Sequence, residues 1–132
     1  MAYSDSAKIV SLVAGTTFAD TDLYKFVDLD TDGKVIISIT TDNALPIGVL
    51  YSRTATTSTD AESVNVAISG VVKVRMEGST RSVGDWVSCS SAGMGMIPST
   101  NRYVVGKIVA GSSGTTGRVV TMRLMHGPLS TP

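Results

Sequence analysis

IGVLYSRTATTSTDAESVNVAISGVVKVRMEGSTRSVGDWVSCSSAGMGM, residues 47–96, is the stretch of sequence that decides the fold. Its apolar residues fall in short runs, and each run is ended by glycine or by a polar turn. Val64, Val66 and Ile68 alternate with other residues, and the alternation is interrupted at Ser69-Gly70 before it resumes. A period of two is typical of a half-buried β-strand, so the stretch predicts a β-framework.

Strand patterns of the same kind occur on both sides of this stretch, and no segment has a sustained helical period. Many short strands separated by turn residues are typical of sandwiches and barrels. We therefore expect an all-β fold, a small β-barrel or β-sandwich with short strands and an extended N-terminal arm. The strands predicted outside the central stretch cover residues 8–13, 23–29, 34–40, 103–109 and 118–125.

The length of 132 residues suits one domain that can bury a core without a metal or disulfides. We divide it into an N-terminal arm or first strand over residues 1–13, a single β domain over residues 14–125 and a C-terminal tail over residues 126–132. The first strand can be buried in its own domain, or it can pair with the sheet edge of a neighbour. If residues 1–13 are an arm, their deletion should leave the domain folded.

The charge balance argues against a nucleic-acid partner. Eleven basic and eleven acidic side chains give a formal net charge of zero. Affinity for nucleic acid comes mainly from neutralising phosphates, for which a basic excess is needed. A near-zero net charge also gives little self-repulsion, which favours self-association.

The apolar runs are too short to span a bilayer, and the N-terminus lacks the pattern of a signal peptide. We therefore expect no membrane partner and a soluble chain made in a cytoplasm. A single cysteine, Cys89, rules out an internal disulfide, and we expect it to be a small apolar filler.

The chain offers little for catalysis. His126 is the single histidine, and the sequence has neither a GxSxG elbow nor a P-loop nor a His/Cys cluster with metal-ligand spacing. Nothing supports a dyad of Cys89 with His126. We therefore predict that the protein is not an enzyme and that it uses no cofactor and no metal.

One acidic segment deserves a direct test as a calcium loop. Residues 28–33, DLDTDG, carry the spacing of the first half of an EF-hand loop, but position twelve is Ile39 and the flanks predict strands. A tight β-turn, in which aspartates bond nearby backbone and Gly33 takes positive φ, is the preferred interpretation.

Two aromatic residues bear on recognition. Tyr51 shares one predicted strand face with Leu45, Ile47 and Val49. Trp86 either covers the end of a small barrel, the interpretation we prefer, or is exposed to a partner, since tryptophan is enriched at binding hot spots.

An ordered series of glycine-valine motifs runs through the chain. This order resembles the capsid cement, or head decoration, family of tailed bacteriophages over about residues 14–124. One departure is Ala61, where the family pattern has glycine, after a longer threonine-rich loop. The series comprises Ile47-Gly48-Val49-Leu50, Ala61-Glu62-Ser63-Val64, Ser69-Gly70-Val71-Val72, Val83-Gly84-Asp85-Trp86, Ser91-Ala92-Gly93, Val105-Gly106-Lys107 and Gly117-Arg118-Val119-Val120.

The resemblance implies a β protein that binds the outer surface of an assembled phage head and reinforces it, often as a homotrimer. The implied partners are the major capsid protein and other copies of this chain, and the implied location is the virion, after synthesis in the host cytoplasm. The alternative is a phage tail or baseplate component, or a head-fibre β module that binds carbohydrate. An exposed Trp86 or Tyr51 beside polar groups would favour sugar binding. The structural positions that the motif carries over are Gly48, Val49, Gly70, Val71, Gly84, Asp85, Gly93 and Gly106.

The motif does not locate the contact with the shell. We place it on the N-terminal arm, at Tyr3, Lys8, Ile9 and Val10, as a hypothesis.

Overall fold

A computed structural model describes residues 7–38, 46–53, 63–78, 82–98, 103–111, 114 and 116–125. Apart from one 3-10 turn at Asp20–Asp22, the regular elements of these residues are β-strands, which confirms the all-β prediction. The strands are β1 (Lys8–Val13), β2 (Phe26–Leu29), β3 (Val35–Ile37), β4 (Gly48–Arg53), β5 (Ser63–Arg75), β6 (Trp86–Cys89), β7 (Gly95–Met96), β8 (Val104–Ala110) and β9 (Val119–Leu124).

The strands form one curled antiparallel sheet in the shape of a half-barrel, in the order β3-β2-β4-β5-β9-β8-β6-β7, with β1 also paired to β5. Strands β1 to β4 pair around residues 63–69 of β5, and we call this the N-terminal sheet half. Strands β6 to β9 extend from residues 70–75, and we call this the C-terminal sheet half. Isolated parallel bridges, Ala14 with Val35 and Met76 with Gly95, draw the outer strands of each half together.

Strand β5 joins the two sheet halves and bends between them. Ser69 and Ala67 pair with consecutive residues of β1, so one extra residue, Ile68, is accommodated on β5. Gly70 follows with φ +91°, a conformation that is costly for any residue with a Cβ atom. A bulge of this kind bends a strand and increases its twist, which is how one strand serves both halves.

The buried side chains form two cores. The larger core fills the C-terminal sheet half and reaches one face of the N-terminal half, and the smaller core lies on the opposite face of the N-terminal half. The larger core comprises Phe26, Val49, Ala67, Val72, Val74, Met76, Val87, Cys89, Val105, Ile108, Val120 and Met122; the smaller comprises Ala14, Phe18, Val27, Val35, Leu50, Val64 and Val66.

The bend in β5 reverses which face is buried. Val64 and Val66 lie in the smaller core, whereas Val72 and Val74 lie in the larger one. All four positions are even-numbered, so a regular strand would place them on a single face. The sequence predicted that these four valines share one half-buried face. The extra residue beside Gly70 instead divides them between the two cores.

Strand β1 is paired within its own domain along residues 63–69 of β5. Val10 and Leu12 pack against the smaller core, while Ile9 and Val13 on the same strand are 38% and 43% exposed. Deleting all of residues 1–13 would therefore remove a strand and part of a core. Because the first strand is a component of the sheet rather than a separate arm, we expect this deletion to destabilise the domain.

The strand predicted over residues 23–29 begins only at Phe26. The 3-10 turn and Tyr24, whose φ is +70°, occupy the positions before it. The pattern over residues 34–40 yields the short strand β3, and positions 39 and 40 lie outside the described residues.

The Asp-rich turn between β2 and β3 has the predicted geometry. The Asp30 carboxylate accepts hydrogen bonds from the backbone N–H groups of Asp32 and Lys34, each at 2.9 Å. Gly33 has φ +77°, and its N–H donates to the Asp30 carbonyl at 3.0 Å. The carboxylate is therefore engaged in holding a β-turn, as the sequence predicted.

Candidate binding surface

The described part of the chain assembles no candidate metal site. Its residues contain no group of three or more His, Cys, Asp or Glu side chains that could hold a metal ion. Cys89 is a buried thiol in the larger core, as its predicted role as an apolar filler requires, and its Sγ donates to the Ser90 carbonyl at 3.3 Å. His126, the other member of the hypothetical dyad, lies outside the described residues. Within the same residues, no helix has the length and apolar character needed to cross a bilayer.

The predicted contact residues fall partly on β1. Lys8 and Ile9 are exposed, and Val10 is half-buried against the smaller core. Tyr3 lies outside the described residues. Strand β1 thus exposes Lys8, Ile9 and Val13, whereas Val10 packs against the interior.

The positions carried over from the glycine-valine motif lie in the strands of the sheet and in the turns between them. Gly48 and Val49 are in β4, Gly70 and Val71 are in β5, and Gly106 is in β8. Gly84 and Asp85 form the turn before β6, and Gly93 is in the turn before β7; Gly84 and Gly93 both have positive φ.

Two of these glycines allow neighbouring backbones to approach closely. A Cβ atom on Gly48 would overlap the carbonyl oxygen of Ala67 on the adjacent β5. At Gly106 a Cβ atom would lie 2.7 Å from the carbonyl oxygen of Arg123 on β9. Contacts this short with backbone cannot be relieved by moving a side chain, so both positions require glycine.

The exposed face of the C-terminal sheet half carries a strip of basic and aromatic residues, which we call the outer strip. Cross-strand partners in an antiparallel sheet share a face. Arg123 is opposite both Val71 and Lys107, and Lys107 is opposite Trp86. In the next row Lys73 is opposite Thr121. The outer strip therefore comprises Val71, Lys73, Trp86, Lys107, Thr121 and Arg123.

The outer strip brings cationic side chains together on one face. Lys107 and Arg123 are directly opposite each other on adjacent strands. Neither row of the strip contains Asp or Glu in its paired positions. A positive surface within a chain of zero net charge implies that acidic residues are concentrated elsewhere; residues 20–32 contain several.

Trp86 is 45% exposed, so the preferred interpretation of this side chain as core cover is wrong. Its strand neighbours Val87 and Cys89 occupy the larger core, and Trp86 points to the opposite face. The Lys107 ammonium lies 4.9 Å from the centre of the Trp86 ring, within the range of a cation–π interaction.

Tyr51 is also displaced from its predicted face. Leu50 and Ser52 pair with consecutive residues of β5, so Tyr51 is the extra residue of a bulge. Its side chain is 48% exposed, while Val49 is buried in the larger core and Ile47 packs against the smaller core. Bulges commonly redirect a side chain in this way. Leu45, the remaining member of the predicted face, lies outside the described residues.

Tyr51 borders an open cavity of about 370 Å³ that continues into the outer strip. The Lys73 ammonium lies 5.9 Å from the centre of the Tyr24 ring beside it. The lining residues thus supply two phenol rings, an ammonium group, a hydroxyl and the Val71 side chain, while the Val72 side chain is buried in the larger core. The lining residues are Tyr24, Tyr51, Val71, Val72, Lys73 and Thr121.

Tyr24 has an unusual backbone for its residue type. Among the described residues it is the one non-glycine residue with positive φ. Its N–H donates to the Leu50 carbonyl and its carbonyl accepts from the Arg75 N–H, both at 2.8 Å. These two bonds fix Tyr24 between β4 and β5, where the two strands diverge.

Sequence reasoning found part of this surface. The alternation correctly placed Lys73, Thr121 and Arg123 facing outwards. It missed Tyr24, which it assigned to a strand, and the outward position of Tyr51. No signal in the sequence marks the bulge at Tyr51, since a bulge depends on the pairing of two strands.

Comparison with known proteins supports the fold. No family model matches the chain, and no curated protein matches its sequence. Among solved structures, the N base of the head fibre protein gp8.5 of bacteriophage phi29 is similar, with a TM-score of 0.59 at 20% sequence identity. The match covers 96% of this chain and 100% of that one. The chain thus has the fold of a phage head-fibre base over nearly its whole length.

Proposed function

We propose that this chain is a non-enzymatic structural protein of a tailed-phage virion that binds the outer surface of the assembled head and reinforces it. One observation carries the proposal: the whole-length similarity in fold to the base of a phage head fibre. The glycine-valine series, which resembles the head decoration family, supports it independently because it comes from sequence rather than from shape.

The proposed partners are the major capsid protein and other copies of this chain, as a homotrimer. Many copies on one shell would turn modest individual contacts into a strong brace, because neighbouring contacts hold a released subunit near its site. The zero net charge is compatible with such close packing of copies. The mass of the protein in solution would test the trimer directly.

We assign the shell contact to β1 and the residues before it. Ile9 and Val13 are exposed apolar side chains on a strand at the side of the sheet, where an added strand or an apolar surface can pack. Tyr3, Lys8 and Val10 complete the proposed set, with Val10 supporting the strand from the interior.

The test mixes purified protein with undecorated, expanded shells and measures co-sedimentation and the temperature at which the shells rupture. We expect binding and a higher rupture temperature. Ile9→Asp should abolish binding while unfolding remains cooperative, and Ser91→Asp, in an exposed turn of the C-terminal sheet half, is the matched control for added charge. Failure of the wild-type protein to sediment with the shells would refute the proposal.

A head-fibre base is the second candidate. The similar solved structure is itself the base of a head fibre, which favours this candidate specifically. This candidate requires attachment to the shell but not reinforcement of it. Binding to shells without any rise in rupture temperature would select this candidate over a cement protein.

A further inference from the structure

We infer that the cavity between Tyr51 and the outer strip is a binding site for an acidic saccharide, meaning a sugar unit that carries a carboxylate. This inference does not rest on the proposed shell binding. It rests on a cavity of about 370 Å³ whose lining has the chemistry of a sugar site.

The composition of the cavity wall matches a sugar ring. A pyranose has C–H faces that pack on aromatic rings and hydroxyl groups that need hydrogen-bonding partners. Tyr24 and Tyr51 supply rings with phenol groups, and Thr121 supplies a hydroxyl. Open sites lined by a few polar groups among apolar surfaces are typical of small-ligand binding.

Lys73 selects for negative charge. Its ammonium group lies over the Tyr24 ring, and its side chain is exposed on the outer face of β5. A carboxylate bound in the cavity can lie close to this ammonium group, so the site favours an acidic sugar over a neutral one.

The backbone conformation at Tyr24 also indicates that the tyrosine side chain has a role of its own. The two hydrogen bonds that hold Tyr24 at φ +70° involve only backbone atoms, and glycine or asparagine could make them at lower conformational cost. Packing of the ring against the larger core accounts for part of the side chain's role. Strained positions cluster at ligand sites, and this one lines the cavity.

Tyr51 strengthens the argument because its position is not explained by packing. The side chain is 48% exposed on a bulge and belongs to neither core. An exposed tyrosine beside a second tyrosine and a lysine makes a preformed clamp with little conformational entropy to lose on binding.

The probes are a glucuronate-containing tetrasaccharide, a neutral glucose tetrasaccharide and a single-stranded oligonucleotide, each titrated into the full chain and followed by backbone amide chemical shifts. We expect saturable shifts at Val71, Lys73 and Thr121 with the acidic sugar. The neutral sugar should bind about fivefold more weakly, which is the contribution expected of one exposed charge interaction.

Three variants localise the effect. Tyr51→Ala and Lys73→Gln should each weaken binding about fivefold, whereas Lys34→Gln, which removes an equal charge outside the cavity lining, should leave sugar binding unchanged. Tyr24→Phe keeps the ring that packs on the core and tests the phenol hydroxyl alone.

Absence of saturable shifts with the acidic sugar would overturn the inference. So would equal binding by Tyr51→Ala and the wild-type protein, or binding of the oligonucleotide with no response to either sugar. Because shell binding is measured separately by co-sedimentation, loss of one activity is distinguishable from loss of the other.

Discussion

The two halves of β5 differ in how they are enclosed. Residues 63–69 have β1 on one edge and β4 on the other, and both faces of this half contribute to a core. Residues 70–75 pair with β9 on one edge, and only one face is buried, while the other carries Lys73 and borders the cavity. One strand therefore provides framework in its first half and an exposed surface in its second.

The difference originates at a single bend. Side chains alternate between the two faces in both halves, but the extra residue beside Gly70 reverses which face is buried. The pairing of β4 with β5 ends before this bend, at Ala67. The Tyr24 backbone fills the resulting gap by bonding to Leu50 and Arg75. The proposed saccharide site thus arises where the sheet splits, and the framework is stable because β5 belongs to both cores.

The largest expected effects come from truncating one side chain in each core. Leu50→Ala in the smaller core and Met122→Ala in the larger core should each lower the free energy of unfolding by about 2–5 kcal/mol. Denaturant unfolding, followed by circular dichroism and by Trp86 fluorescence, measures both.

Because β5 links the cores, we expect the two probes to report a single coincident transition in each variant. Two separated transitions, with Trp86 unaffected by Leu50→Ala, would contradict the coupling of the two halves.

A smaller effect is expected at the bend itself. Gly70→Ala places a Cβ atom at φ +91° and should cost about 1–3 kcal/mol of stability. Ser69→Ala is the matched control, since Ser69 is exposed and adjacent, and it should change stability by less than about 0.5 kcal/mol. Equal stability of the two variants would show that the bend does not depend on glycine.

The sequence predicted the individual strands better than the register in which they pair. The alternation in residues 118–125 identified β9 and its buried residues Val120 and Met122, because burial on one face is a local property. It did not predict the reversal at Gly70 or the bulge at Tyr51, because a register shift is set by two strands jointly. The cavity depends on both irregularities, so it could not be predicted either.

The smallest effect distinguishes surface from framework within β4. Tyr51→Ala should change the free energy of unfolding by no more than about 0.5 kcal/mol, since half of the side chain is in solvent and neither core contains it. Val49→Ala, two residues away in the larger core, should cost more than about 1 kcal/mol. Thermal or chemical unfolding of the pair measures the difference, and a larger loss for Tyr51→Ala would place Tyr51 in the framework.

Electron cryomicroscopy of undecorated shells mixed with this protein tests the proposed function most directly. We predict added density of the size of this domain at symmetry-related positions on the outer surface of the shell, with β1 closest to the shell. Shells that show no added density, or density in which β1 faces the solvent, would contradict the account.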